Sequence, residues 1–473
     1  MLPDFTNHIE ENETLKAIAA IVQKEGEKAY LIGGYVRDLL LKRPSKDIDI
    51  VTDGNGIDLA QVVHKHLPQQ SNLAVYKNFG TAALSFPNLE IEFVGARKES
   101  YRSDSRKPKV ETGTLEDDQK RRDFTINALA ISLNYEDFGK LIDPFNGVQD
   151  LQERRLVTPL EARKTFSDDP LRMMRAIRFA SQLDFDIEAD TFHALTDMGE
   201  RLQIVSQERI TDELNKIILS KKPSYGFRLL FSSGLLARIF PEMAKLQGVK
   251  TRDGKAHKDN FYHTLKVLDN VADMSDDLWL RWAAILHDIA KPATQKFSPK
   301  AGWTFHGHED LGAKWVPKIF KKLKLPLNQK MIYVQKLVRL HLRPIALVSE
   351  EVTDSAVRRL LYEAGDDIED LMKLCRADIT SKNHEKVRRY LANFIKVERK
   401  MEEVESKDHL RNFKLPVTGE TIMETFSLQP SKIVGEIKSE IKEAVLDGVI
   451  PNETEKAFEY MLKIGLERGL TPK

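Results

Sequence analysis

YLIGGYVRDLLLKRPSKDIDIVT, residues 30–52, is the stretch whose reading decides the fold. Tyr30–Ile32 is apolar and strand-like, and Gly33-Gly34 makes a tight turn where backbone can come close to a phosphate. Val36–Leu41 reads as the first turns of a helix carrying Arg37, and a short basic linker with Pro44 follows. Asp47, Ile48, Asp49, Ile50 and Val51 then alternate polar and apolar, which predicts a strand. The alternation sets Asp47 and Asp49 on one face, one strand repeat apart. Two carboxylates facing one way beside a glycine turn can hold a divalent cation at a triphosphate. Surface strands carry a bare D-x-D by chance, but GG-x-x-R-D followed nine residues on by D-x-D is far more specific.

The surrounding chain of 473 residues is long enough for two to four domains. With 41% hydrophobic and 31% charged residues it reads as soluble and globular. Its single cysteine, Cys375, excludes an intrachain disulfide framework and fits a reducing compartment. The N-terminal MLPDFTNHIEENET has neither a basic n-region nor an apolar h-region, and no run approaches the length of a membrane span, so a cytoplasmic enzyme is expected. A formal net charge of +1 argues neither for nor against nucleic acid, but its distribution says more. Between Leu311 and Ser349 there is no Asp or Glu, whereas Lys314, Lys318, Lys321, Lys322, Lys324, Lys330, Lys336, Arg339 and Arg343 all occur. Such a stretch either tracks a phosphate backbone or is a solvated lysine-rich helix face.

Residues 1–28 follow a helical stripe through Leu15, Ile18, Ile21 and Val22. Residues 29–134 alternate strands and helices, predicting a mixed α/β domain, and Asp143-Pro144 and Asn146-Gly147 mark turns in the connector after it. From about residue 165 the pattern is helical. Segments are expected at Asp168–Leu183, from an N-cap at Ser206 to Leu219, and around Tyr225–Phe240. RDGKAHKDN, 252–260, is a polar boundary; a histidine-rich helical block and a charged helical tail follow, with no internal repeat. The expected class is α+β: an α/β head at 1–150, a helical neck at 151–250, a helical block at 255–395 and a tail at 396–473.

Three further motifs gather around the first. LEIEFVGAR, 89–97, is strand-like with Glu90 and Glu92 on one face; Glu92 is the better placed to be a third carboxylate, the alternative being an exposed strand residue. RRDFTIN, 121–127, sets Arg122 and Asp123 beside Asn127; on a helix start Asp123 would be stabilised by the dipole and Arg122 could reach phosphate. In DDPLRMMRAIRF, 168–179, Asp169 and Arg172 stand at i and i+3, neighbours on a helix face. They form either an ordinary surface ion pair or a protein-made edge that hydrogen-bonds a base. Helical geometry would turn Arg178 to the side opposite Asp169.

Taken together these motifs resemble the nucleotidyltransferases of the polymerase-β type. The likeness is to the class II branch, which holds CCA-adding tRNA nucleotidyltransferases and bacterial poly(A) polymerases, and it spans about residues 28–245. The resemblance implies Mg²⁺ held by Asp47 and Asp49, and a triphosphate held by Gly33, Gly34, Arg37 and Arg122. It implies ribose or loop positioning by Asp123 and Asn127, and base selection by Asp169 and Arg172, with Arg175 and Arg178 as further nucleotide contacts. The branch pattern E-D-x-x-R departs here, since Asp168 replaces its Glu. SQERITDELNKI, 206–217, matches the next motif, with Glu208, Arg209 and Glu213 expected to buttress the base-selecting helix by ion pairs.

In the second block, His263, the adjacent His287-Asp288, His308, His341 and Asp378 offer imidazole and carboxylate together, a donor set for a Mn, Fe, Ni, Co or Mg centre. Their order resembles the HD-domain phosphohydrolases, with His308 and His341 matching members that hold a second metal. The resemblance implies phosphodiesterase or phosphatase activity, including on 2′,3′-cyclic phosphates; the alternative is a metal-free HD fold supporting tRNA binding. The tail resembles that of CCA enzymes and is expected to grip tRNA. The resulting expectation is template-independent CCA addition to tRNA from CTP and ATP. Its rivals are an A-adding enzyme, a poly(A) polymerase, and an HD hydrolase whose N-terminal half only binds nucleotide or RNA.

Overall fold

The computed structural model describes residues 2–67, 71–102, 105–349, 353–381, 383–408 and 415–473. The chain divides into two compact units, Met1–Ile239 and Phe240–Lys473. Among the described residues no helix is long and apolar enough to cross a membrane.

The first unit is built on seven strands: β1 (Ala29–Ile32), β2 (Asp47–Thr52), β3 (Asn72–Tyr76), β4 (Thr81–Phe86), β5 (Leu89–Gly95), β6 (Ala130–Ser132) and β7 (Leu141–Ile142). Their order is β3-β4-β5-β2-β1-β6-β7. Every pairing is antiparallel except β2 with β5, which is parallel and sets Asp47 opposite Glu90 and Asp49 opposite Glu92. In β2, Ile48 and Ile50 are buried on the face away from Asp47 and Asp49. The N-terminal stripe becomes two helices, broken at Asn12, whose side chain caps α1 (Glu13–Glu25) through the Thr14 and Leu15 amides. Helix α2 (Gly34–Leu40) follows β1 directly, and α3 (Gly56–His66) follows β2. The connector turn is held by Asp143, which accepts from the Gly147 and Val148 amides while Asn146 takes a left-handed φ of 62°.

Asp168–Leu183 is not one helix. A short helix ends at Asp168, Asp169 is extended, Pro170 stands at the next N-cap, and α4 runs Leu171–Leu183 to a left-handed Asp184. Proline has no N–H to donate and restricts the residue before it to extended backbone, which sets the break. Helix α5 (Gln207–Ile218) begins after Ser206 as its sequence predicts, and packs on α4. The segment expected around Tyr225–Phe240 is likewise two helices, Pro223–Ser232 and Leu235–Ile239, separated at Gly234 with φ 75°.

The second unit is helical, with short hairpins at 251–256 and 296–304. Its chemistry rests on α6 (Asn260–Ala272), α7 (Leu278–Leu286), α8 (His308–Lys322), α9 (Gln329–Leu340) and α10 (Ile368–Ala377). Trp282 and Phe320 are fully buried between these helices. A long helix begins at His384, ahead of the expected tail. Three helices between Gly419 and Glu467 then enclose their own core of Val417, Ile422, Phe426, Ile437, Ile441 and Met461.

Candidate functional site

In the first unit the glycine turn, β2 and α4 surround an open cavity of about 540 Å³. Seven arginines line it, Arg37, Arg121, Arg122, Arg172, Arg175, Arg178 and Arg209, against three aspartates, Asp49, Asp123 and Asp169. Counted over the lining residues that is four more positive than negative charges, partly offset by Asp38, Asp118 and Glu213 behind the wall, and it favours a polyanion. Gly33 adopts φ 78°, and a Cβ there would lie 2.6 Å from Arg122 Nη1 and 3.4 Å from Asp49 Oδ2. Glycine is therefore required both by backbone and by the side chains that crowd it.

The carboxylate Asp49 sits at this cavity, while Asp47 is exposed toward solvent. Burial pushes the Asp49 carboxyl up, Arg122 pulls it down, and Glu92 and Asp47 push it up again. Glu92 thus faces Asp49 across the parallel pairing, as a third oxygen donor would. Three carboxylates gathered in this way suit a hard divalent cation.

The arginines are held, not loose. Asp118, whose side chain is fully buried, accepts from Arg121 Nε at 2.9 Å and from Arg122 Nε at 3.1 Å. Arg37 donates to Asn127 Oδ1 at 2.8 Å and to Asp38. Asp123 is not on a helix start. It lies before a 3₁₀ turn, Thr125–Asn127, and is buried beneath the cavity. It accepts from its own neighbour's amide at Phe124, from Asn127 Nδ2 at 2.9 Å and from Arg175 at 2.7 Å. Burial raises its carboxyl, but Arg175, Asn127 and Arg172 outweigh this and hold it at about 2. The Phe179 ring carries three guanidinium groups, Arg178 at 4.0 Å, Arg37 at 5.1 Å and Arg175 at 5.3 Å.

The structure does not pair Asp169 with Arg172 side to side. Arg172 donates to the backbone carbonyls of Thr165 and Arg121, and Asp169 Oδ2 lies 3.7 Å from Arg209. Because Asp169 precedes α4 instead of riding on it, Arg178 is not turned away from it, and both line the cavity. Arg178 pairs with Glu213 at 2.9 Å, the buttress expected of Glu213. Arg209 reaches the cavity itself, and Glu208 is exposed with no ion pair among the described residues. Sequence reasoning passed over Asp118, Arg121 and Phe179. The spacing of Asp118 to Arg121 and Arg122, i+3 and i+4, was the signal available for the first two.

In the second unit, His263 on α6, His287 and Asp288 after α7, His308 opening α8, His341 after α9 and Asp378 after α10 converge in two groups. One is His263, His287 and Asp378; the other is Asp288, His308 and His341. Asp288 joins them, with Oδ1 3.1 Å from His308 Nε2 and Oδ2 3.2 Å from His287 Nε2 and 3.4 Å from His263 Nε2. Three histidines donate Nδ1–H to the carbonyl three residues back: His287 to Ala284 at 2.7 Å, His308 to Phe305 at 2.7 Å and His341 to Val338 at 2.6 Å. That fixes the tautomer and leaves each buried Nε2 with a lone pair and no hydrogen-bond partner. Burial, and then the neighbouring His287, lower His341 to about 4, so it is neutral, the ligating form. These orphaned nitrogens and the bridging carboxylate fit a pair of divalent cations. Lys291, not singled out by the sequence, donates to Asp288 Oδ2 at 2.5 Å.

Three family models match the chain: "Poly A polymerase head domain" at 29–157, "Probable RNA and SrmB- binding site of polymerase A" at 184–246, and "HD domain" at 260–383. Head domains of this kind and HD domains generally bind divalent metals. The multifunctional CCA protein of Nitrosococcus oceani is 33% identical over 370 residues, 74% of this chain and 84% of that protein. The CCA-adding enzyme of Anoxybacillus flavithermus is 34% identical over 281 residues, 58% of this chain and 65% of that protein. An A-adding tRNA nucleotidyltransferase of Aquifex aeolicus is 44% identical over 167 residues, 35% of this chain and 19% of that protein. A solved CCA-adding enzyme in complex with ATP superimposes with a TM-score of 0.63 at 25% identity, covering 98% of this chain and 99% of that one. The chain belongs to the class II family of CCA-adding tRNA nucleotidyltransferases and bacterial poly(A) polymerases, and it carries an HD domain.

Proposed function

We propose that this chain is a template-independent CCA-adding tRNA nucleotidyltransferase of the cytoplasm, using CTP and ATP, with a phosphodiesterase or phosphatase centre in its HD domain. The observation that carries the reading is the arginine-walled cavity with Asp49 at its side and Asp47 and Glu92 beside Asp49. The reaction is attack by the RNA 3′ hydroxyl on the α-phosphate: one P–O bond forms, another breaks, and pyrophosphate leaves. Asp47, Asp49 and Glu92 would hold Mg²⁺, whose charge favours the attacking oxyanion and the leaving pyrophosphate.

Arg37 and Arg122, with Arg121 beside them, hold the triphosphate. Asn127, Asp38 and Asp118 aim these guanidinium groups, so little ordering is needed when the nucleotide arrives. Asp123 does not touch phosphate in this reading; it holds Arg175. Asp169 and Arg172 remain the base-selecting pair, with Asp169 accepting from an exocyclic amine and Arg209 orienting it. The six HD residues would hold the divalent pair that serves phosphoester hydrolysis. The functional division follows the segments 1–150, 151–250, 255–395 and 396–473, the last gripping tRNA.

The test is single-turnover extension of tRNA ending before CCA, after C and after CC, with labelled CTP or ATP. Two C and one A followed by a stop supports the reading. Addition of the final A alone makes it an A-adding enzyme, and a long A tail makes it a poly(A) polymerase. No addition sinks the transferase reading.

A further inference from the structure

Apart from His341, the acid-free stretch between Leu311 and Ser349 has no part in the sites above. Its lysines sit mainly on α8, whose first residue is His308, and on α9, whose last residue Leu340 precedes His341. Lys322 pairs with Glu242, Lys336 with Asp367, and Arg339 lies 3.7 Å from Asp310. Lys314, Lys318, Lys321, Lys324, Lys330 and Arg343 are exposed, and none has an ion-pair partner among the described residues.

Lys314, Lys318 and Lys321 follow one another at steps of four and three, so they form a row along α8 opposite its buried Val316, Ile319 and Phe320. At a rise of 1.5 Å per residue the row begins about 9 Å from His308 along the axis and extends to about 20 Å. A groove of about 720 Å³ runs between α8 and α9 and is lined by Lys314, Lys336, Arg339 and Leu340, the neighbour of His341; Asp310 and Glu363 also face it. A free mononucleotide cannot engage cations spread over such a length. A chain of phosphates can.

We propose that this basic row is a phosphate-backbone track that leads an RNA 3′ end to the HD centre, so that the HD substrate is a polynucleotide end and not a free mononucleotide. The proposal rests on the reading of that centre as a phosphohydrolase. The exposed row carries no core contact, so its replacement leaves the fold intact.

The experiment compares the full chain with K314Q/K318Q/K321Q. Two substrates are hydrolysed: bis(p-nitrophenyl) phosphate, and a short RNA ending in a 2′,3′-cyclic phosphate. The variant is expected to keep the small ester's kcat/KM within twofold while KM for the RNA rises about 10-fold at low salt. The log–log salt slope for the RNA should flatten by about 2, three cations at roughly 0.7 each for single strands. Equal losses on both substrates, or no loss on either, overturn the proposal. If the wild-type chain hydrolyses neither, the HD reading fails on its own. The track is then read from anisotropy of the same labelled RNA, where an unchanged salt slope overturns it.

Discussion

Asp118 never faces the nucleotide, yet two arginines of the cavity depend on it. Replacing it with asparagine keeps the shape and removes the charge. Each hydrogen bond to the ionised carboxylate contributes about 1.5–3 kcal/mol, against about 0.5–1.5 for a neutral one. The loss is therefore about 1–2 kcal/mol for each arginine. Arg122 is hemmed in by Gly33 and also donates to the Asn127 carbonyl at 3.2 Å, so part of its orientation survives. Arg121 meets Asp118 through both Nε and Nη2, so the carboxylate holds it at two points. If one arginine's share, about 1.4 kcal/mol, is lost from triphosphate binding, Kd rises about 10-fold. Isothermal titration of ATP and CTP into D118N reads this directly. The melting temperature of the variant should fall as well, by about 2–4 °C for each kcal/mol lost in a unit of this size. An ATP Kd within twofold of wild type, in a folded variant, refutes the claim that Asp118 positions the arginine wall.

Three other outcomes follow from the geometry. G33A should reduce nucleotide addition at least 100-fold, since Cβ meets Arg122 at a strained φ, while HD hydrolysis of a small ester stays unchanged. D288N should strip both groups of their shared carboxylate: metal content measured by mass spectrometry falls, and nucleotide addition persists within twofold. Asp123 is depressed from 3.8 to about 2, so it contributes stability above pH 4 that is lost as pH falls toward 2. The wild type should exceed D123N by about 2 kcal/mol at pH 7, and the gap should shrink between pH 4 and pH 2. A gap that is constant with pH refutes that account.

The HD residues were legible because each stands alone in its local pattern: a histidine or carboxylate at a helix end, with His287-Asp288 adjacent. Residue type was enough to name them, and the fold only had to bring them together. The β2 carboxylates were legible because alternation fixes which side chains share a face. Glu92 was harder, since its place depends on a parallel pairing between strands 37 or more residues apart, which no local pattern records. The segment expected to select the base was misread because helical spacing was carried through Pro170, where proline ends the helical approach and starts a new one. Phe179 looked like one more apolar position on α4. Only the tertiary structure shows three guanidinium groups around its ring.

Three of the HD histidines donate Nδ1–H to the carbonyl three residues back in their own turn. The choice of tautomer is thus written into a four-residue fragment and owes nothing to distant parts of the chain. Such a fragment is portable. Substitutions elsewhere can reshape the surroundings of the centre, and exchange one substrate for another, without disturbing which nitrogen is offered inward. The same independence makes each turn a unit that could be moved between helical scaffolds, with only the backbone geometry of one turn to be preserved.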